Sequence, residues 1–528
     1  MPTPPMPYRR PPLVSDRQGF DRRWFAPNLE MVFTPTTADD VRDMMNQAIW
    51  KYSYKPGEIQ ITCGRHCYEG FVYNSTTKCI IDVTGVNSYG FDVNKGYYID
   101  VGNGNWDMYR TFFNVYGRTL PAGSCYSVGL GGHITGGGYG ILSRLLGLAI
   151  DYLTGADVVV TPGDGRTPQL VYCSAGQHSD LYWAIRGGGG GNFGIITRYY
   201  FQDPPVAPQY LYVNTLTIPW SNFTSSSVLQ TYLDTFFQYE CYTAPWDEFS
   251  IFHANHQQAG SMTVSTFYLY NQPLEADVAI YEADLTRRVN ERRQRYAALG
   301  PLSDRPGQHI GHPGWLADNG PLMPTDSNVF RRYTFLEGVQ QVNGSGPNRF
   351  GKYKSAYMNK AFPPAQVSAL WTWLQKVPAG VPASDMAASL CQIDSYGGKI
   401  NTVGSSTTAI PQRSSYMKLQ YQTYWDNSAP VGQDDPVQAK AHVDWINGMY
   451  TDVYSAYGGF PDPRRDPTGT VDGCYFNYCD TALGVNGTPG ISNAMYLYFK
   501  DNFTPLQSTK HKYNPLDWFR SAQSIPLS

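Results

Sequence analysis

The residues best suited to chemistry are gathered in two glycine-rich stretches. The first runs Cys125-Tyr-Ser-Val128-Gly129-Leu-Gly131-Gly132-His133-Ile-Thr-Gly136-Gly-Gly138-Tyr139-Gly140. Without side chains in the way, backbone N–H groups can approach a ligand closely, and successive amides of this kind suit a pyrophosphate. The second, Gly187 to Gly191 followed by Asn192-Phe193-Gly194, holds a formal GxGxxG at Gly189, Gly191 and Gly194. It leads into the strand-like Ile195–Phe201 rather than the helix that a dinucleotide-binding turn requires, and no GxxxxGK(S/T) occurs in the chain. Tight turns without a ligand are the alternative reading of both stretches. Two HxxH pairs, His253/His256 and His309/His312, have ligand spacing but no acidic or Cys partner close in sequence, so packing or loop roles outweigh a metal site. No metal is expected.

The elements that must position these residues change character along the chain. Up to about residue 205 the pattern is α+β. A strand near Met31 leads into the capping box Thr37-Ala-Asp-Asp40 and a helix with Val41, Met44, Met45 and Ile49 on one face. Short strands follow at Ile59–Thr62, Ile80–Val83 and Tyr97–Val101, and Asp157–Val160 turns at Asp164-Gly165 and returns through Leu170–Cys173. The Pro cluster Asp203-Pro-Pro-Val-Ala-Pro208 marks a junction. From 206 to 460, strands at Tyr210–Ile218, Met262–Tyr270, Lys352–Met358 and Met417–Tyr424 alternate with helices such as 274–298, whose Arg287, Arg288, Arg292 and Arg293 are assigned to its wet side. An antiparallel sheet covered by helices on one face is the economical architecture. Residues 461–528 carry no obvious core of their own and are expected to fold back onto an earlier domain.

Composition narrows the function. With 40 Lys and Arg against 43 Asp and Glu, and only 16% charged residues, the chain is unsuited to a nucleic-acid surface. Aromatics make up 15% and there are 52 glycines, a strand-rich and turn-rich composition that suits a polyhydroxyl ligand. No apolar run of about 18 residues is present to cross a membrane. The Pro-rich, basic start MPTPPMPYRRPP lacks the apolar stretch of a secretory signal, so the expectation is cytoplasmic as the sequence stands, and secreted if a signal peptide was removed. Nine cysteines are sparse and odd in number, unlike a disulfide framework. Sequons at Asn74, Asn222, Asn343, Asn486 and Asn502 carry little weight in a chain rich in Asn, Ser and Thr.

Several motifs occur in a fixed order across nearly the whole chain. They are His66-Cys67-Tyr68-Glu-Gly after a strand, Cys125 with VGxGGHxxGGGYG, the GGGGGNFG run, Tyr475-Phe-Asn477-Tyr478, and the closing Lys512-Tyr-Asn-Pro-Leu-Asp-Trp-Phe519. Together they resemble the berberine bridge enzyme-like flavin oxidases, and within them the branch with doubly attached FAD that includes oligosaccharide oxidases, hexose oxidases and antibiotic-tailoring sugar oxidases. The collinear order is far more specific than any single motif. The resemblance implies a two-part FAD-binding domain of the vanillyl-alcohol-oxidase type, residues 30–205 with 461–528, and a substrate domain, 206–460.

The resemblance also assigns roles. His66 matches the histidine bonded to the flavin 8α-methyl group and Cys125 the cysteine bonded to flavin C6; a thiolate is the nucleophile that a thioether needs. Gly64, Arg65, Val128, Gly129, Gly131, Gly132, His133, Gly136, Gly138, Tyr139, Gly194, Ile195 and Asn477 are assigned to cofactor binding. Arg65 departs from the family, which usually has glycine there, so either the backbone of the phosphate cradle is altered or the guanidinium meets the pyrophosphate. Val128 matches a small residue that accompanies oxygen reactivity, which implies an oxidase. Tyr478 matches the presumed base, Tyr475 and Tyr68 line the same site, and Asp394 matches the aspartate that assists the base. A phenol of pKa near 10 needs about 4 kcal/mol of help to ionise at pH 7. Gln392, with Gln420 or Gln422, is assigned to sugar hydroxyls. The implied reaction takes a saccharide hydroxyl, such as C1–OH, to a lactone and O2 to H2O2. The alternatives are a tailoring oxidase of a glycosylated or alcohol-bearing secondary metabolite, and a non-catalytic flavin- or carbohydrate-binding protein.

Overall fold

The computed structural model describes residues 9–271, 277–303, 330–342, 348–425, 430 and 433–527. His309, His312, the Asn343 sequon and the first turn of the predicted 274–298 helix lie outside them. The strands fall into three sheets. In the smallest, Met31–Phe33 and Ile59–Thr62 lie parallel to a central Cys79–Asp82, with Arg9–Arg10 antiparallel at one edge. The buried Cys79-Ile-Ile-Asp82 run fits a parallel strand covered on both faces. The helix Ala38–Asn46 starts where the capping box predicts: Thr37 Oγ1 accepts the Asp40 N–H at 3.1 Å and the Asp40 carboxylate accepts the Thr37 N–H at 3.0 Å. A second, antiparallel sheet has the order Tyr89–Asp92, Gly96–Asp100, Ile195–Phe201, Leu153–Val160, Gln169–Ser174, its last two strands forming the hairpin read from Asp164-Gly165.

The third sheet has seven antiparallel strands in the order Arg331–Thr334, Tyr210–Pro219, Ser261–Tyr270, Glu248–Asn255, Leu390–Ser395, Met417–Trp425, Phe350–Met358. Two of its central strands, Glu248–Asn255 and Leu390–Ser395, have no counterpart in the sequence reading. Register aligns Ile251 with Asp394 and Lys418, and His253 with Gln392 and Gln420. Because side chains alternate along a strand, Lys418, Gln420, Gln422 and Tyr424 share one face with Gln392, Asp394, Phe249, Ile251 and His253. The other face is covered by the helices Ser226–Phe236, Val278–Ala297 and Pro436–Val453, as the contacts Phe236–Phe252, Arg292–Asn214 and Tyr421–Tyr450 show, and the helix Pro364–Trp373 packs against the first and last of them.

Arg292 does not lie on the wet side of its helix. It sits in the apolar stripe of Leu285, Val289 and Tyr296, since i, i+4, i+7 and i+11 share one face, and only 3% of it is exposed. Its guanidinium donates to Glu240 at 3.1 Å, to Asn214 Oδ1 at 2.7 Å and to the Val264 carbonyl at 2.8 Å. Truncating one partner of a buried pair leaves the other charge uncompensated at a cost of about 3–5 kcal/mol. Arg292→Met is therefore expected to lower the urea midpoint markedly, and adding Glu240→Gln to recover most of the loss. An unchanged midpoint in the single variant contradicts this.

Residues 471–480 run beside the Phe350–Met358 edge strand, where the Tyr357 N–H donates to Gly473 and the Asp472 N–H to Tyr357, each at 2.9 Å. The following helices, Ile491–Phe499 and Phe503–Tyr513, lead back to the glycine-rich region. Tyr513 donates to Asp180 at 2.9 Å and Asn514 to the Asn192 carbonyl at 3.1 Å.

Candidate active site

A cavity of about 370 Å³ opens between the seven-stranded sheet, the loop after Ile59–Thr62, both glycine-rich stretches and residues 475–479. Its walls include Gly64, Arg65, His66, Tyr68, Cys125, Val128, Gly129, Gly131, Gly132, His133, Tyr139, Gly194, Ile195, Gln392, Asp394, Tyr475, Asn477 and Tyr478. Four predicted site residues stand outside this lining. Gly136 packs under Asn477, whose Oδ1 would lie 1.9 Å from an added Cβ, and Gly138 packs on Ala149. Both serve close approach of chain to chain. Gln420 and Gln422 lie one layer back, where Gln420 donates to the Tyr68 hydroxyl at 3.2 Å and Gln422 to Gln392 Oε1 at 3.2 Å.

One end of the cavity is built by crossing backbones. A Cβ on Gly64 would fall 2.1 Å from the Gly129 nitrogen, and one on Gly129 would fall 2.2 Å from Cys63 Sγ, so neither position tolerates a side chain. Arg65 adopts φ +62°, the left-handed region that glycine favours. Its guanidinium turns away to Asp82 at 2.7 Å, Asp16 at 3.3 Å and the Ser15 carbonyl at 2.9 Å. The glycine-like backbone is thus kept, and the guanidinium is engaged by the N-terminal segment instead of reaching for a phosphate. The Arg65 carbonyl accepts the Phe20 N–H at 2.8 Å, and the Phe20 ring stacks on His66 at 4.6 Å. On its other side His66 Nε2 meets Ser127 Oγ at 2.7 Å, two residues from Cys125. Burial pushes the His66 pKa down to about 4, so at neutral pH the imidazole is uncharged and keeps a lone pair for bond formation. His133 is likewise lowered to about 4 by burial, and its Nε2 accepts the Gly123 N–H at 2.7 Å. Asn477 donates to the His133 carbonyl at 3.1 Å, joining residues 475–478 to the glycine-rich turn.

The opposite end is polar and belongs to the sheet. A directed chain of hydrogen bonds runs along it: Tyr424 donates to Gln422 at 2.7 Å, Gln422 to Gln392, and Gln392 to Asp394 Oδ1 at 2.7 Å. Asp394 Oδ2 accepts from Tyr139 at 3.2 Å. The phenol bonded to Asp394 is therefore Tyr139, which the sequence reading assigns to the cofactor, and not Tyr478. The Tyr478 hydroxyl has no hydrogen-bond partner among the described residues, while its ring lies 5.1 Å from Tyr475 and 5.7 Å from Tyr68. Burial raises the Tyr478 and Tyr139 phenols well above 10, and burial also raises the Asp394 carboxyl.

The residue missed by sequence reasoning is Lys418, the cross-strand partner of Asp394. Its ammonium lies 3.7 Å from the Tyr478 ring centroid, 4.4 Å from Tyr139 and 4.9 Å from Tyr475, with no hydrogen-bond acceptor. Burial pushes its pKa down to about 7, against the pull of Asp394 in the other direction. A cation above an aromatic face attracts the ring's electrons, and attracts a phenolate more strongly. A phenolate formed at this end of the cavity can accept a proton from a bound hydroxyl, and the ammonium lowers the cost of forming it. The available signal was a lone lysine in the otherwise uncharged run Met417–Trp425. His253 also lines the cavity, its Nδ1 3.2 Å from Thr263 Oγ1. Among the described residues, neither it nor His256 joins a cluster of three or more side chains that could hold a metal.

Comparison with known proteins places this geometry. The FAD binding domain family matches residues 29–168, and the berberine and berberine-like family matches residues 474–526. The chain is 39% identical to a hexose oxidase of Chondrus crispus over 98% of its own length and 93% of that protein. It is 29% identical to the aclacinomycin-N/aclacinomycin-A oxidase of Streptomyces galilaeus, covering 96% of this chain and 87% of that one. The structure of a glycopeptide hexose oxidase complexed with teicoplanin superposes with a TM-score of 0.79 at 25% identity, covering 98% and 99% of the two chains. The residues present fit FAD: the Gly64–Gly129 crossing is a cradle that a Cβ would fill, and a neutral imidazole and a thiol reach the same cavity.

Proposed function

Because the chain belongs to the berberine bridge enzyme-like FAD-dependent oxidoreductases, we propose that it oxidises a saccharide hydroxyl, the C1–OH of an oligosaccharide or related sugar, to a lactone, with FAD joined to His66 and Cys125 and O2 reduced to H2O2. The observation that carries this reading is a single cavity lined by His66 and Cys125 together with Gln392, Asp394 and Tyr478. The relatives named as hexose and aclacinomycin oxidases support a sugar or glycosylated substrate. Bound FAD supplies the two-electron acceptor that amino-acid side chains lack.

The chain's own residues supply the proton chemistry and the alignment. Tyr478 takes the proton of the reacting hydroxyl as its phenolate, and Lys418 above its ring lowers the cost of holding that phenolate before the transfer. Asp394 has two lone-pair directions left after bonding Gln392 and Tyr139, enough to hold a neighbouring sugar hydroxyl. Gln392, fixed at both ends of its amide by Gln422 and Asp394, keeps one N–H for a second hydroxyl. Such double fixation holds the reacting carbon in one pose, from which most of the advantage of an oriented reaction derives.

The test is the intact mass of denatured protein, with its visible spectrum, for wild type, His66→Ala, Cys125→Ala and the double variant. Mass heavier by one FAD in wild type and each single variant, and by none in the double variant, is the expected result. Saccharides that decolourise the flavin and release H2O2 then complete the assignment. A colourless wild-type protein of bare chain mass, after expression with ample flavin, overturns it.

A further inference from the structure

Two thiols flank the site and take no part in the chemistry above. Cys67 follows His66, and Cys479 follows Tyr478; both line the cavity and neither is in a disulfide. Their segments are held against each other on both sides of the thiols. On one side the Tyr68 and Tyr478 rings lie 5.7 Å apart. On the other, Glu69 accepts the Thr481 N–H at 3.3 Å, and the buried Lys352 ammonium pairs with Glu69 and with Asp480. Between these anchors the Cys67 and Cys479 thiols are near neighbours, each the largest influence on the other's titration.

The two sulfurs are not equivalent. The neighbouring Cys479 holds the Cys67 thiol below its ordinary value, the direction that favours the nucleophilic thiolate. Cys67 is half-buried at the cavity wall, whereas Cys479 is 4% exposed behind it. Burial raises instead the thiol of Cys63 at the cavity wall and those of the core cysteines Cys79, Cys173, Cys241, Cys391 and Cys474.

We infer that Cys67 and Cys479 are a peroxide-responsive dithiol, Cys67 attacking hydrogen peroxide and Cys479 closing a disulfide that ties the His66 loop to the Tyr478 segment. In the first step the Cys67 thiolate displaces hydroxide from the O–O bond, forming a sulfenic acid. In the second, the Cys479 sulfur attacks it, the S–O bond breaks, and the hydroxyl leaves as water with the proton of Cys479. Two thiols and one peroxide thus give one disulfide and two waters. That the peroxide arises in this same cavity rests on the oxidase reading above; the dithiol chemistry itself does not. The disulfide would fix Tyr68 against Tyr478 and limit the motion of residues on which turnover depends.

The experiment maps thiols by mass. Reduced holoenzyme is exposed to added hydrogen peroxide, alkylated, digested without reductant and compared with an untreated sample. The expected product is a Cys67 peptide joined to a Cys479 peptide, lighter by two hydrogen atoms than the pair and split by dithiothreitol. In Cys479→Ser, dimedone should label Cys67. Cys67 and Cys479 both found alkylated after peroxide, or Cys67 joined to Cys63 or Cys125 instead, overturns the proposal. A second arm replaces added peroxide by saccharide and O2. The link forming with added peroxide but not with saccharide leaves the dithiol standing and removes the oxidase reading instead.

Discussion

Tyr478→Phe is expected to lower kcat by about 10²- to 10⁴-fold, the range that a positioned general base contributes, while flavin content and melting temperature stay at wild-type values. The structure makes this substitution unusually clean. The Tyr478 hydroxyl has no partner among the described residues, so removing it orphans no buried polar group. The ring keeps its neighbours Tyr475, Tyr68 and Lys418. The loss should therefore fall on the step that breaks the substrate O–H bond, read as the rate at which saccharide bleaches the flavin without oxygen. Reoxidation of the bleached flavin by O2 should be unchanged. Tyr139→Phe is the informative control, because it removes a hydrogen bond to Asp394 Oδ2 without touching Tyr478. A fall of less than about tenfold in Tyr478→Phe, beside a larger one in Tyr139→Phe, moves the proton to the Tyr139–Asp394 pair.

What the sequence announced and what it concealed divide along physical lines. The glycine-rich run around His133 was legible because its signal is local and keeps its meaning whatever lies across the sheet. Gly64, His66, Cys125 and Tyr478 stood out only through the collinear order of motifs along the chain, since alone each reads as an ordinary turn or packing residue. The capping box at Thr37 and the Asp164-Gly165 hairpin were legible as the glycine-rich run was, each being settled within a few residues. Lys418 was not. Its surroundings come from Leu390–Ser395 by strand pairing and from residues 139, 475 and 478 by folding, and nothing near position 418 encodes them. The strand Leu390–Ser395 itself was hidden because its six residues mix amide, carboxylate and hydroxyl groups with apolar ones, all of them buried, which erases the alternation that marks a half-exposed strand. Arg292 misled for a related reason. Periodicity reports a face, and the sequence does not show that Glu240 and Asn214 wait on the apolar side to receive a guanidinium. Arg65 illustrates the reverse case: its departure from glycine is visible in sequence, but only the positions of Asp16 and Asp82 reveal where the guanidinium goes.

Lys418→Met is expected to give a protein that is more stable at neutral pH and slower by about 10²-fold, the scale on which one preorganised charge-stabilising group acts. The stability part follows from proton linkage. Burial lowers the Lys418 pKa from 10.5 to about 7 in the folded chain, so between those values the unfolded chain binds one more proton than the folded one. Stability then rises with pH across that window by about 1.4 kcal/mol per unit, and at and below pH 7 the folded protein bears the full cost of a buried ammonium. Methionine, close in shape and uncharged, removes that cost. The variant's advantage should be largest at pH 7 and below and fade toward pH 10.5, which urea titrations at several pH values would show. The activity part has the opposite sign because the same ammonium, 3.7 Å from the Tyr478 ring, stabilises the phenolate that must be present to take the substrate proton. In wild type, kcat/KM should fall as pH rises through the Lys418 pKa near 7, and the methionine variant should lack that limb while staying slow throughout. A variant that is both slower and less stable at pH 7 would make Lys418 a structural partner of Asp394. One that is more stable and equally fast would leave Tyr478 to act without electrostatic help. Only the combination of gained stability and lost rate marks a charge that folding tolerates because the reaction requires it.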